Sequence, residues 1–173
     1  MIAAYNAVTG EIAFDETMAG MSAFVLVADP APADWETGSY VVVDGALVPD
    51  MVRLRAARRA AIQAARDVAM LDDVTVPTHG TFQLRGGGEK RIQGFFFKAK
   101  DAVRFEETYA QFFKLADNSV VVFNGPEWVE IGNAIEAEVV ARFVRGEVLM
   151  GRIAAATTPA ALDAITWTLE DPE

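Results

Sequence analysis

The sequence contains no cysteine and a single histidine, His79, and its first fifty residues contain no lysine or arginine. Without cysteine there is no disulfide framework, no thiolate metal site and no cysteine nucleophile. The absence says nothing about compartment, because a chain of 173 residues can bury one core, alone or with a small appended module, without cross-links. Long apolar runs are also missing. None approaches the roughly 18 residues that a membrane span requires, and the N-terminus lacks the basic residues that open a signal peptide. The expectation is a soluble chain with no membrane span, made in a cytoplasm.

The missing cations make the charge uneven. Residues 1–50 carry eight carboxylates and a net charge of −8, which leaves −2 for residues 51–173 out of the total of −10. A segment of one sign repels nucleic acid and anionic lipid and favours a basic protein surface. No nucleic-acid partner is expected.

What is present is helical period and turn chemistry. Asn124-Gly125-Pro126-Glu127 combines a side-chain acceptor, a first-turn proline and a carboxylate at the positive helix end, so a helix starts there. Trp128, Ile131, Ile135, Val139, Phe143 and Val144 then recur at steps of three and four, opposite Glu130, Glu136, Glu138 and Arg145. The pattern predicts a buried stripe and a helix of about 30 residues reaching Ala155. Gly132, Gly146 and Gly151 weaken it, with a bend near Gly146.

Upstream, Ile2 to Phe14 reads as a hairpin turning through Asn6–Gly10, and Ala23–Ala28 as a short apolar run ended by the connector Asp29-Pro30-Ala31-Pro32. Tyr40–Val43, Asp44-Gly45 and Ala46–Val48 carry the signature of a tight type I′ hairpin. Residues 1–50 thus form an acidic β-rich module, and residues 51–173 a helix-rich domain. Met51–Leu71 is an alanine–arginine helix with a narrow face at Leu54, Ala57 or Ala61, Ala64 or Ala65, and Val68. Its arginines are read as a solvated face paired with acidic neighbours, since no aromatics interleave for base stacking.

Val74–Val76 and Thr81–Leu84 are two short strands around Pro77–Gly80. Gly86–Gly88 forms a flexible tip that lacks the Gly-Lys-Ser/Thr ending of a phosphate loop. His79 reads as an exposed turn residue with no nucleophile beside it. A second helix runs from Glu89 to about Tyr109, with Ile92, Phe95, Phe96, Ala99 and Val103 on one side. Phe112–Leu115 and Ser119–Phe123 make a second hairpin. Thr157-Thr158-Pro159 then starts a short last helix through Ala160, Leu162 and Ile165, followed by a buried Trp167 and a fraying end at Glu170–Glu173.

The segments 62–67, 80–84, 91–94, 112–123, 128–143 and 154–167 stand in a familiar order. It resembles a domain of unknown function found in tail-fibre and other tail-associated proteins of tailed bacteriophages and prophages, over about residues 52–168. The Thr9-Gly10-Glu11 turn and the Tyr40–Val48 hairpin also look like the openings of small phage tail proteins. Arg85-Gly86-Gly87-Gly88 departs from the acidic, serine-containing turn of the family.

The resemblance implies a virion component, in or near the tail fibre or baseplate, or a tail-fibre assembly chaperone absent from the mature particle. Its partners would be other phage tail proteins and further copies of itself. The residues add no chemistry that argues otherwise. Glu106/Glu107 and Glu136/Glu138 sit at helical offsets that do not converge, so neither an acid/base pair nor a metal site is expected. A wall or glycan hydrolase would need two carboxyl groups facing across a cleft. The expectation is therefore a structural protein and not an enzyme, of α+β class, with no cofactor and no catalytic or metal residues. The candidate interface residues are Phe96, Phe97, Arg55, Arg59, Tyr40 and Asp44, with Trp128 as core anchor.

Overall fold

The computed structural model describes residues 3–6, 12–14, 24–28, 40–44 and 46–168. The α+β class expected from the sequence is what it contains: short antiparallel hairpins and four helices. The turn at residues 7–11, the Asp29–Pro32 connector, Gly45 and Glu170–Glu173 lie outside the described residues. The chain forms two compact units, Met1–Ala61 with Gly151–Thr166, and Ile62–Met150 with Trp167–Glu173.

In the first unit, β1 (Ala3–Asn6) pairs antiparallel with β2 (Ile12–Phe14), Ala4 opposite Ala13, as the hairpin pattern predicts. The apolar run after it, β3 (Phe24–Ala28), joins the free edge of β1 with a register shift at Ala3/Ala4. A second hairpin pairs β4 (Tyr40–Val43) with β5 (Ala46–Pro49). Its turn residue Asp44 has φ 52°, the positive value that a type I′ turn demands.

Helix α1 (Met51–Ala69) begins at Asp50, whose Oδ1 accepts from the Val52 and Arg53 amides, both at 3.1 Å. At the other end of the unit, Thr158 caps α4 (Pro159–Asp163) by accepting from Ala161 N at 3.2 Å, with Pro159 in the first turn. The helix stops short of Ile165, which is buried just beyond it.

The second unit is built on an aromatic cluster. Hairpins β6 (Val74–Val76) with β7 (Gly80–Phe82) and β8 (Ala110–Lys114) with β9 (Val120–Asn124) each bury one face. They pack with α2 (Gly88–Arg104) and α3 (Gly125–Ala155). Trp128, 0% exposed, stands at the centre. Phe95, Phe123, Phe113 and Phe82 surround its ring with centroids at 5.1, 5.4, 5.7 and 6.3 Å. Its Nε1–H donates to the Gln111 carbonyl at 3.2 Å, so the indole is buried with its polar atom satisfied.

Helix α3 starts where the sequence indicates, through a reciprocal capping box. Asn124 N donates to Glu127 Oε2 at 2.7 Å, and Glu127 N donates to Asn124 Oδ1 at 3.0 Å. The 31-residue helix runs through all three of its internal glycines.

Its buried stripe differs from the expected one. Phe143 and Val144 are about half exposed. Trp128, Ile131 and Ile135 are buried as expected, but beyond them the stripe follows another row, and the covered line reads Trp128, Gly132, Ile135, Val139, Arg142, Gly146, Leu149 and Ile153, all buried except the half-buried Val139. These positions alternate strictly by four and three. An apolarity count misses two glycines and an arginine, so it drifts to the neighbouring row.

The same correction applies to α1. Leu54 and Ala65 are half-buried as expected, but Ala57, Ala61, Ala64 and Val68 are exposed, and the covered line is Met51, Arg55, Arg58, Ile62, Ala65 and Ala69. Long guanidinium stems lie along that side while their heads find partners. Arg55 donates from Nε and NH2 to the Ala156 carbonyl at 3.2 and 2.8 Å, and Arg58 meets Asp163 Oδ1 at 2.6 Å.

Helix α2 ends at Arg104, earlier than the expected Tyr109. Glu106 adopts φ 58°, Glu107 N donates to Ala102 O at 2.8 Å and Glu106 N to Val103 O at 3.4 Å. This is a Schellman ending made without the usual glycine, which hides it from a sequence scan. At the start of α2, Gly86 and Gly87 have φ 62° and 82°, but Gly88 is buried. A methyl group there would overlap the Gln83 carbonyl, so the last glycine of the turn is close-packed, while Gly86 and Gly87 have open space around them.

His79 is also not the exposed residue expected. Its side chain is 12% exposed, edge-on to Phe123 with centroids at 5.7 Å, and Nε2 lies 3.2 Å from Glu130 Oε2. Trp167 is half-buried.

Candidate interaction surface

The second unit carries an apolar groove of about 380 Å³ between α2 and α3. Its floor is Ile92, Phe96, Gly132 and Ile135, and Phe97, Lys100, Glu136 and Val140 stand among its walls. The floor exists because α3 has a glycine where Phe96 crosses it: a Cβ on Gly132 would overlap the Phe96 ring. Lys100 Nζ lies 5.0 Å above that ring, a cation–π contact that holds the ammonium at the groove edge.

Phe96 and Phe97, adjacent in sequence, therefore separate in role. Phe96 is buried in the floor, and Phe97 is 61% exposed beside it, with ring centroids 5.6 Å apart. Of the other candidates, Arg55 is committed to the Ala156 carbonyl just past α3. Arg59 is exposed on α1, Tyr40 is half-buried on β4 opposite Pro49, and Asp44 is exposed in the adjoining turn. Phe96 and Phe97 are brought together at the groove. Arg55 and Arg59 share one helix, and Tyr40 and Asp44 one hairpin.

The sequence reading missed a second apolar face. In hairpin β8–β9, Phe113 and Phe123 point into the core, while Phe112, Val120 and Val122 are exposed on the outer side. Phe112, 64% exposed, stands opposite Val122. The signal was present in the uninterrupted run Val120-Val121-Val122-Phe123, since a strand covered on one face alternates with polar residues.

A shallower depression is lined by Val74, Pro77, Ala134, Glu138 and Arg142. Its arginine is already engaged. Arg142, 7% exposed, donates to the carbonyls of Ala69, Asp72 and Asp73 at 2.7, 2.9 and 3.3 Å and to Glu138 Oε1 at 2.9 Å.

Among the described residues no group of three or more metal-ligating side chains comes together, and no helix is long and apolar enough to cross a membrane. Among the described residues two titrations are displaced. Burial pushes the Tyr109 phenol up, and its hydroxyl has no hydrogen-bond partner. The Ser119 hydroxyl and then the Ser119 amide hold the Asp117 carboxyl below its usual range in the β8–β9 turn.

A family model described as a domain of unknown function (DUF4376) matches residues 53–166. No curated protein and no solved structure matches the chain.

Proposed function

The chain belongs to the family described as a domain of unknown function, DUF4376, and from that premise we propose that it is a structural protein of a tailed bacteriophage. It acts in or near the tail fibre or baseplate through protein–protein contacts, with other tail proteins and with further copies of itself. The phage setting is supported by the resemblance of residues 52–168 to tail-associated domains. The contact role is supported by one observation: Phe97, Phe105, Phe112 and Phe143 each leave about half or more of their surface open. Exposed aromatics in such number are a mark of surfaces that meet other proteins.

In this role the acidic N-terminal segment attracts a basic neighbour, and the apolar faces of the second unit supply the contact area. Mass spectrometry of purified virions tests the reading directly. Stoichiometric recovery of the chain with tail proteins is the expected result. Its presence in assembling lysates together with its absence from finished particles would turn the assignment to an assembly chaperone.

A further inference from the structure

We propose that the α2–α3 groove is the self-association site of this protein, closed by the same groove of a second copy across a two-fold axis. The inference deepens the contact role above and rests on it. A two-fold interface uses one patch twice, so that patch must carry both the projection and the recess that receives it. This one does. Phe97 projects from α2 beside a recess whose floor lies low because the Phe96 ring sinks into the space that a side chain on Gly132 would take.

The charges select the occupant. Lys100 stands on the α2 side and Glu136 on the α3 side, with Glu89 near the α2 start, so the rim carries both signs. A partner of one strong sign would leave a like charge opposed. A second copy related by a two-fold sets Lys100 of one chain against Glu136 of the other, twice, and brings Phe97 of each chain over the other's apolar floor. Val140, on the wall, continues along α3 into Val144 and Val148 at four-residue steps, each about half exposed. That row lengthens the seam by about 12 Å at 1.5 Å per residue. An interface of roughly 800 Å² per partner, the usual size for a specific dimer, needs such an extension beyond the groove itself.

Sedimentation velocity and light scattering on the purified chain test the pairing, independently of whether the chain is found in virions. A concentration-dependent dimer is expected. Phe97→Glu and Val140→Glu each weaken it by about tenfold or more, with the melting temperature of the monomer unchanged because both side chains are already exposed. Lys100→Glu and Glu136→Lys each weaken it, and the double reversal restores it, since the restored pair crosses the axis. Because the chain has no cysteine of its own, Lys100→Cys mixed with Glu136→Cys places one thiol on each side, and oxidation should link the two variants covalently. A monomer at every accessible concentration would overturn the proposal. So would a dimer indifferent to Phe97→Glu and Val140→Glu, or a double charge reversal that fails to recover association. Should Phe97→Glu not fold, the charge-reversal series decides alone. The virion assignment is judged separately by particle composition, so either proposal can fail while the other stands.

Discussion

Phe96 fills the space that a methyl group on Gly132 would need. The two residues face each other across the α2–α3 contact, and the groove floor depends on their close approach. Gly132→Ala therefore sets two effects against each other. Alanine improves helix propensity by about 1 kcal/mol, whereas forcing the Phe96 ring aside costs roughly 1–3 kcal/mol. The expected net result is destabilisation, read from urea unfolding midpoints. Gly151→Ala, on the same helix with nothing within 4 Å of the added methyl, should stabilise instead.

Arg142 closes the C-terminal end of α1 by donating to three carbonyls that have left the helical ladder or follow it. Replacing it with Met keeps much of the stem and removes the donors, so the part-buried Asp72 and Asp73 carbonyls lose this partner, while the Ala69 carbonyl keeps its bond from the Asp72 amide. A loss of about 1–3 kcal/mol is expected from that desolvation. Arg142→Lys should recover little, because an ammonium cannot reproduce the planar fork. Thermal melts of the pair distinguish donor geometry from charge.

Asn124→Ala removes one half of the capping box that starts α3. The expected cost is about 1 kcal/mol. Asn124→Asp should retain most of the stability, since a carboxylate accepts the same bond and suits the positive helix end.

Asp117 titrates below the ordinary carboxylate range because Ser119 bonds to its ionised form. A depressed folded-state value means that this turn's contribution is present above the unfolded carboxylate value and is lost as pH falls through the lower, folded one. Ser119→Ala should move the Asp117 titration, followed by carboxyl NMR, back up toward its usual range. The same variant should flatten the acid side of the stability profile of the β8–β9 turn.

Much of the fold can be read from residues alone because its boundaries are made by side chains with specific jobs. Asn124, Glu127 and Pro126 mark the start of α3, Thr158 and Pro159 that of α4, and Asp44 the turn of β4–β5. The losses have a common cause. Arg55, Arg58 and Arg142 occupy covered positions that apolarity patterns assign to hydrocarbon, and Gly132 and Gly146 occupy others through the side chains they lack. Glu106 ends α2 in a conformation that sequence readers reserve for glycine. His79 sits in a turn by sequence yet beneath Glu130 and against Phe123 in space, a relation between distant segments that no local pattern contains. For the candidate surface, the aromatic excess at Phe95–Phe97 is legible in the sequence, but the separation of a buried Phe96 from an exposed Phe97 needed the position of Gly132.

The ring of Trp128 gathers phenylalanines from four separate elements, every one of which precedes it in the chain. Two-stranded ribbons have little stability by themselves, so β6–β7 and β8–β9 cannot settle until the indole has been synthesised. At about 5–20 residues per second, the ribosome leaves Phe82 waiting several seconds for its cover. During that interval the nascent segment exposes apolar surface that the finished core will cover, and it is then at its most vulnerable to sticking to its neighbours.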